Sequence, residues 1–102
     1  MKKTEILVVC THQEILNTVV RLVNSNTEMT ATGSNTLEQA ITTFRSANFD
    51  LVLVGAGLEK GEETELERVI AKLNRKVPIV FHYGGGSGLL FTELYEALNN
   101  AK

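Results

Sequence analysis

Apolar residues in this sequence alternate between short continuous runs and longer amphipathic stretches. The continuous runs predict three buried strands: Glu5 to Cys10, Phe49 to Val54 and Val77 to Tyr83. Runs of this length, apolar on both faces and rich in β-branched residues, are typical of parallel strands with helices on either side. A half-polar segment, Glu28 to Thr32, predicts one more strand nearer a sheet edge.

The stretches between these runs carry apolar residues at three- and four-residue spacing, which predicts helices. Thr11 and Glu14 match a capping box, so we expect the first helix to begin there and to end near Asn24. Asn35 with Glu38 offers a similar start for the second helix.

Two further amphipathic stretches complete the pattern. One runs from about Glu62 to Leu73, and the last contains Leu90, Leu94 and Leu98. Four strand–helix repeats require right-handed crossovers and a parallel sheet between two layers of helices. The sequence therefore predicts a flavodoxin-like three-layer α/β sandwich.

Length and composition agree with one soluble globular domain over residues 1–102. The chain has 102 residues, of which 43% are hydrophobic and 22% charged. The net charge of -2 with scattered cations disfavours nucleic-acid binding. Apolar runs are too short for a membrane span or a signal-peptide core, so we expect no membrane association and a cytoplasmic location.

Candidate chemistry collects where the strands end, because ligands of open parallel sheets bind at the carboxyl ends of the strands. Those ends are predicted at residues 10–12 (Cys-Thr-His), 55–57 (Gly-Ala-Gly) and 82–84 (His-Tyr-Gly). A glycine-rich turn then precedes the last helix: Gly84, Gly85, Gly86, Ser87 and Gly88. Backbone amides in such a turn can hold an anion, although glycine also serves a tight connection.

The stretch from Thr32 to Val54 resembles the second helix and third strand of bacterial response-regulator receiver domains. With ILVVC as the first strand and PIVFHYG as the fourth, the resemblance covers most of the chain. It implies a sheet of strand order 2-1-3-4, in which the glycine-rich turn replaces a fourth helix and a fifth strand.

Receivers accept a phosphoryl group on an aspartate after strand three, beside an acidic pair that holds a divalent cation. The resemblance places Gly55 at the acceptor position and Cys10 and Thr11 at the acidic pair. Glycine is no nucleophile, and a thiol and a hydroxyl do not replace carboxylates around a hard cation. Tyr83 stands where receivers have Thr or Ser, and the family's lysine has no counterpart. This resemblance implies a pseudo-receiver.

The chain is also similar to the B component of sugar phosphotransferase systems, which carries a phosphorylated cysteine at the end of strand one, the position of Cys10. The following residues, Thr11 to Glu14, are bulkier than that family's phosphate loop and place an acid beside it. Cys10 is therefore either a thiolate nucleophile near a helix start or a buried small hydrophobe.

The remaining candidates are two histidines and a tyrosine. His12 and His82 both follow strands, but two histidines without a third ligand make a poor metal site, so we expect neither a metal nor a cofactor. Tyr83 either contacts a partner or caps the core.

Two functions follow from these residues. The first is a non-enzymatic signalling or interaction module with a protein partner that the sequence does not identify. The alternative is a phosphocysteine carrier or small-anion-binding protein. Loss of a fifth strand leaves strand four as an edge, so we also expect a homodimer through strand four and the last helix.

Overall fold

The computed structural model describes residues 3–74, 76–82 and 90–100. Its elements in chain order are β1 (Thr4–Val9), α1 (Gln13–Asn24), β2 (Met29–Ser34), α2 (Leu37–Ser46), β3 (Leu51–Val54), α3 (Lys60–Leu73), β4 (Ile79–Phe81) and α4 (Leu90–Asn100). The strands are parallel and lie in the order β2-β1-β3-β4. The predicted α/β sandwich and its strand order are therefore confirmed.

The core has two halves, one on each face of the sheet. Side chains of a strand alternate between faces, so neighbouring residues of β1 enter different halves. Leu7 and Val9 pack with α2 and α3, whereas Ile6 and Val8 pack with α1 and α4. Burial on both faces explains why β1 and β3 appear in the sequence as continuous apolar runs.

Strand β2 is longer at its carboxyl end than the sequence predicts. Gly33 and Ser34, which follow the predicted strand Glu28 to Thr32, continue it and pair with Val8 and Val9 of β1. Only glycine fits comfortably at position 33, since a Cβ there would lie 3.1 Å from both Leu16 Cδ1 and Val20 Cγ2 of α1. The extra residues thus bring the strand end level with that of β1.

The predicted starts of the first two helices are each wrong by one residue. Helix α1 has His12 at its N-cap, with no side-chain capping bond, so Thr11 forms no capping box. Helix α2 is capped by Thr36, whose hydroxyl accepts a hydrogen bond from the Gln39 amide at 3.1 Å. The extension of β2 moves this start beyond Asn35.

Helix α3 begins two residues before the predicted Glu62. Glu59 and Glu62 form a capping box in which each side chain accepts from the other's backbone amide. Glutamate is an unusual N-cap residue, so its side chain gave no start signal.

The described strands β3 and β4 are shorter than predicted. Phe49 precedes β3 and is buried, with its ring stacked 6.2 Å from that of Phe44. In β4, Val77 and Pro78 lie before the strand, and Tyr83 lies outside the described residues. No helix in the described ranges is both long and apolar enough to cross a membrane.

Candidate functional site

The carboxyl ends of the two central strands lie side by side. Val9 pairs with Val54, and the Gly55 amide donates to the Val9 carbonyl at 2.7 Å. Cys10 and Gly55 are both buried. A Cβ at position 55 would lie 3.2 Å from Cys10 Cβ and 3.3 Å from its Sγ. The sulfur of Cys10 therefore takes up the space beside Gly55.

The Cys10 thiol connects the end of β1 to the loop after β3. It donates a hydrogen bond to the Ala56 carbonyl, with a sulfur–oxygen distance of 3.2 Å. The residue is fully buried, with 0% of its surface exposed. A thiol enclosed in this way has the packing role common among free cysteines, and it is not presented to a phosphoryl donor.

A second contact closes the same edge of the sheet. Gly57 has φ 115°, a conformation that residues with a side chain rarely adopt. A Cβ there would lie 1.7 Å from Thr11 Oγ1, so the Thr11 hydroxyl rests directly against the glycine backbone. This contact employs the Thr11 side chain that the sequence assigned to helix capping.

These contacts define the closed edge: residues 10–12 after β1 and residues 55–57 after β3. None of these six residues is acidic. The closed edge therefore presents no carboxylate of its own, and its hydroxyl and thiol are engaged in packing. Among the residues that the structure describes, no three His, Cys, Asp or Glu side chains come together as a metal site.

The two histidines occupy different surroundings. His12 is exposed at the N-cap of α1. His82 directly follows β4; its side chain is 13% exposed and its amide donates to the Val54 carbonyl at 2.9 Å. Its Nδ1 lies 2.6 Å from Oε1 of Glu93 on α4. A carboxylate only accepts hydrogen bonds, so Nδ1 carries the proton and donates it.

Glu93 was missed by the sequence analysis. An acidic residue in the first turn of a helix is already explained by its favourable interaction with the helix dipole. The available signal was the short separation in sequence, because Glu93 follows His82 by only 11 residues and its side chain can therefore reach the end of β4. The other candidates, Tyr83, Gly84, Gly85, Gly86 and Ser87, lie outside the described residues.

Solved structures with the same architecture include response regulator proteins and a sensor protein. A response regulator receiver domain from Clostridium thermocellum has a TM-score of 0.74 and 18% identity, covering 96% of this chain and 93% of that one. A sensor protein from Polaromonas sp. JS666 has a TM-score of 0.84 and 14% identity, with 97% and 98% covered. A Thermotoga maritima response regulator, solved in complex with Mg²⁺-BeF, has a TM-score of 0.75 and 17% identity, with 97% and 99% covered.

No protein-family model and no curated protein sequence matches the chain. In each of these three comparisons the structural similarity covers nearly the whole length of both chains, so most of this chain adopts a receiver-like fold. Identities this low establish the fold, whereas activity has to be argued from the site.

Proposed function

We propose that this receiver-like domain is a non-enzymatic signalling module that acts through contacts with other proteins. The observation that carries the proposal is the closed edge, where Cys10 and Thr11 pack against residues 55–57. Phosphoryl transfer in a receiver needs an open position there for an aspartate and a cation. A domain that keeps the receiver-like fold but fills the acceptor position is suited to binding other proteins and not to phosphoryl transfer.

The side chains at the matching positions support the same conclusion. Gly55 offers no oxygen to accept a phosphoryl group, and a hard cation such as Mg²⁺ binds carboxylate oxygens in preference to a thiol. Aspartate at position 55 would also need the Cys10 sulfur to move, since its Cβ alone comes within 3.3 Å of it. The substitution Gly55→Asp therefore restores neither the cation site nor the space.

The phosphocysteine alternative receives no support from the surroundings of Cys10. A carrier cysteine must reach the phosphoryl groups of a donor and an acceptor protein. The Cys10 sulfur is buried and hydrogen-bonded to the Ala56 carbonyl. A module that binds partners without covalent chemistry requires no such access.

Addition of Mg²⁺ and beryllium fluoride tests the proposal, because the Thermotoga regulator was solved with that combination. We expect the backbone amide signals of Val9, Cys10 and Gly55 to stay unchanged in ¹⁵N-resolved spectra. Acetyl phosphate with Mg²⁺ should leave the intact mass unchanged, in the wild type and in Gly55→Asp. A receiver domain with its acceptor aspartate serves as the positive control.

Saturable shifts at those three amides, or a Mg²⁺-dependent mass increase on a carboxylate, would contradict the proposal. A mass increase on Cys10 with phosphoenolpyruvate and the general phosphotransfer proteins would favour the carrier instead.

We further propose a cytoplasmic protein that pairs with a second copy of itself through β4 and α4. Two observations support the pairing. β4 is an end strand of the described sheet, and its Ile79 and Val80 are only half-buried. Apolar groups at a sheet margin favour association when they are covered by a partner.

A further inference from the structure

A cleft lies at the opposite end of the molecule from the closed edge, between the carboxyl ends of α2 and α3. Its volume is about 220 Å³. Residues 47–50, which flank it, lead into the amino end of β3, and residues 76–78 lead into that of β4. The cleft is therefore separate from any chemistry at the carboxyl ends of the strands.

Aromatic and aliphatic side chains form the apolar part of the cleft. Phe44 and Phe49 are each 7% exposed, with rings stacked at an interplanar angle of 16°, so they form its deep wall. Leu73 is 47% exposed and lies at its margin. An apolar cavity of about 150 Å³ accommodates benzene, so this cleft has room for one ring with a small substituent.

Besides Ala47, three exposed residues with hydrogen-bonding side chains line the cleft: Arg45, Asn48 and Asn74. Oδ1 of Asn74 accepts from the Lys76 amide at 3.1 Å, which leaves its NH₂ group for a ligand. Within the described ranges, no hydrogen bond or ion pair engages the side chain of Arg45 or of Asn48. Among the described residues, the polar part of the cleft is thus rich in donors and positively charged at Arg45.

Electrostatics decide how a ligand would be oriented. The last carbonyl groups of α2 and α3 carry partial negative charge, so an anionic group is disfavoured deep between the helix ends. Arg45 favours that group at the outer margin, where the guanidinium can donate two parallel hydrogen bonds to a carboxylate. An aromatic ring then faces the Phe44 and Phe49 wall.

We propose that this cleft binds a small aromatic carboxylate, with the ring against Phe44, Phe49 and Leu73 and the carboxylate at Arg45. The amide groups of Asn48 and Asn74 donate to the remaining carboxylate lone pairs. This site lies outside the closed edge, and its ligand requires neither a phosphoryl group nor a metal.

Titration of ¹⁵N-labelled protein with sodium benzoate tests the site. We expect saturable shifts of the side-chain NH₂ signals of Asn48 and Asn74, with a dissociation constant of about 1 mM or below. Arg45→Gln should weaken binding about tenfold, because it removes the charge-assisted pair. Benzamide, the neutral analogue, should lose about as much affinity, and acetate should cause no saturable shift.

Arg21→Gln is the matched control, since Arg21 is an exposed arginine in the last turn of α1 and lies away from the cleft. It should bind benzoate as the wild type does, and thermal unfolding should show that both variants remain folded. The proposal is overturned by equal affinity of the Arg45 and Arg21 variants, by acetate binding as well as benzoate, or by no saturable shift at about 10 mM benzoate. None of these outcomes bears on the Mg²⁺ and beryllium fluoride test.

Discussion

Thr11 and Gly57 show how single residues close the carboxyl edge of the sheet. Each looks unremarkable in the sequence, one as a helix cap and the other as part of a small-residue turn. In the fold, the Thr11 hydroxyl occupies the volume that a side chain at position 57 would need. The positive φ of Gly57 lets the loop after β3 approach β1 this closely.

Gly57→Ala should lower the free energy of unfolding by about 2–4 kcal/mol, because it adds backbone strain and a steric conflict with Thr11. Gly61→Ala is the matched control: a Cβ there meets nothing within 4 Å, and the residue lies in α3. We expect that control to gain about 0.5–1 kcal/mol. Urea unfolding compares the two, and equal stabilities would show that the Thr11–Gly57 contact is unimportant.

At the scale of elements, α4 is the part whose placement the strand pattern did not determine. It packs on the same face of the sheet as α1, where Leu90 and Leu94 are buried. Polar contacts within the described residues attach it at two points along its length. His82 binds Glu93 in the first turn, and Asn26 donates to the Tyr95 hydroxyl at 2.9 Å.

Glu93→Gln should lower the free energy of unfolding by about 0.5–1.5 kcal/mol, since a neutral amide replaces the carboxylate that accepts from His82. Glu96→Gln on the same helix is the control, because Glu96 is exposed and its side chain has no hydrogen bond within the described residues. Hydrogen exchange should also be faster in α4 of Glu93→Gln than in the control. Identical exchange in the two variants would show that the His82–Glu93 pair does not hold the helix.

At the scale of the molecule, both faces of the sheet are used for the core, so the proposed homodimer would pair through the margin of the sheet. Phe81 of β4 packs against the α2 and α3 half of the core, so Phe81→Lys would unfold the domain before it tested an interface. Tyr95 is the better probe, because it is largely outside the core. Tyr95→Phe removes the hydroxyl, with its hydrogen bonds to Asn26 and Glu28, but keeps the ring. It therefore shows whether losing those hydrogen bonds is enough to affect the dimer.

Sedimentation equilibrium at micromolar and higher concentrations should show a homodimer for the wild type and for Tyr95→Phe. Tyr95→Glu should dissociate more readily, since a two-fold interface contains the added charge twice. Leu73→Glu, on the other face, should leave the dimer intact. A monomer at every concentration would show that the dimer proposal is wrong.

The sequence by itself determined the four strands, the four helices and the layered α/β class. Apolar periodicity records which faces a segment buries, and ILVV in β1 and LVLV in β3 are covered on both sides. The resemblance to receivers added the strand order. The strands, the helices and the fold class are predicted from patterns that extend over many residues, so one misread residue does not change them.

Tertiary structure alone decided the helix starts, the closed edge and the cleft. Thr11 satisfies a capping pattern but contacts Gly57, and Asn35 lost its capping role to Thr36 because β2 continues to Ser34. Glu93 reaches His82, and Phe44 reaches Phe49, only after the chain folds back between layers. Such contacts depend on where two segments meet in space, and the free energy of that packing outweighs local preferences of the same residues.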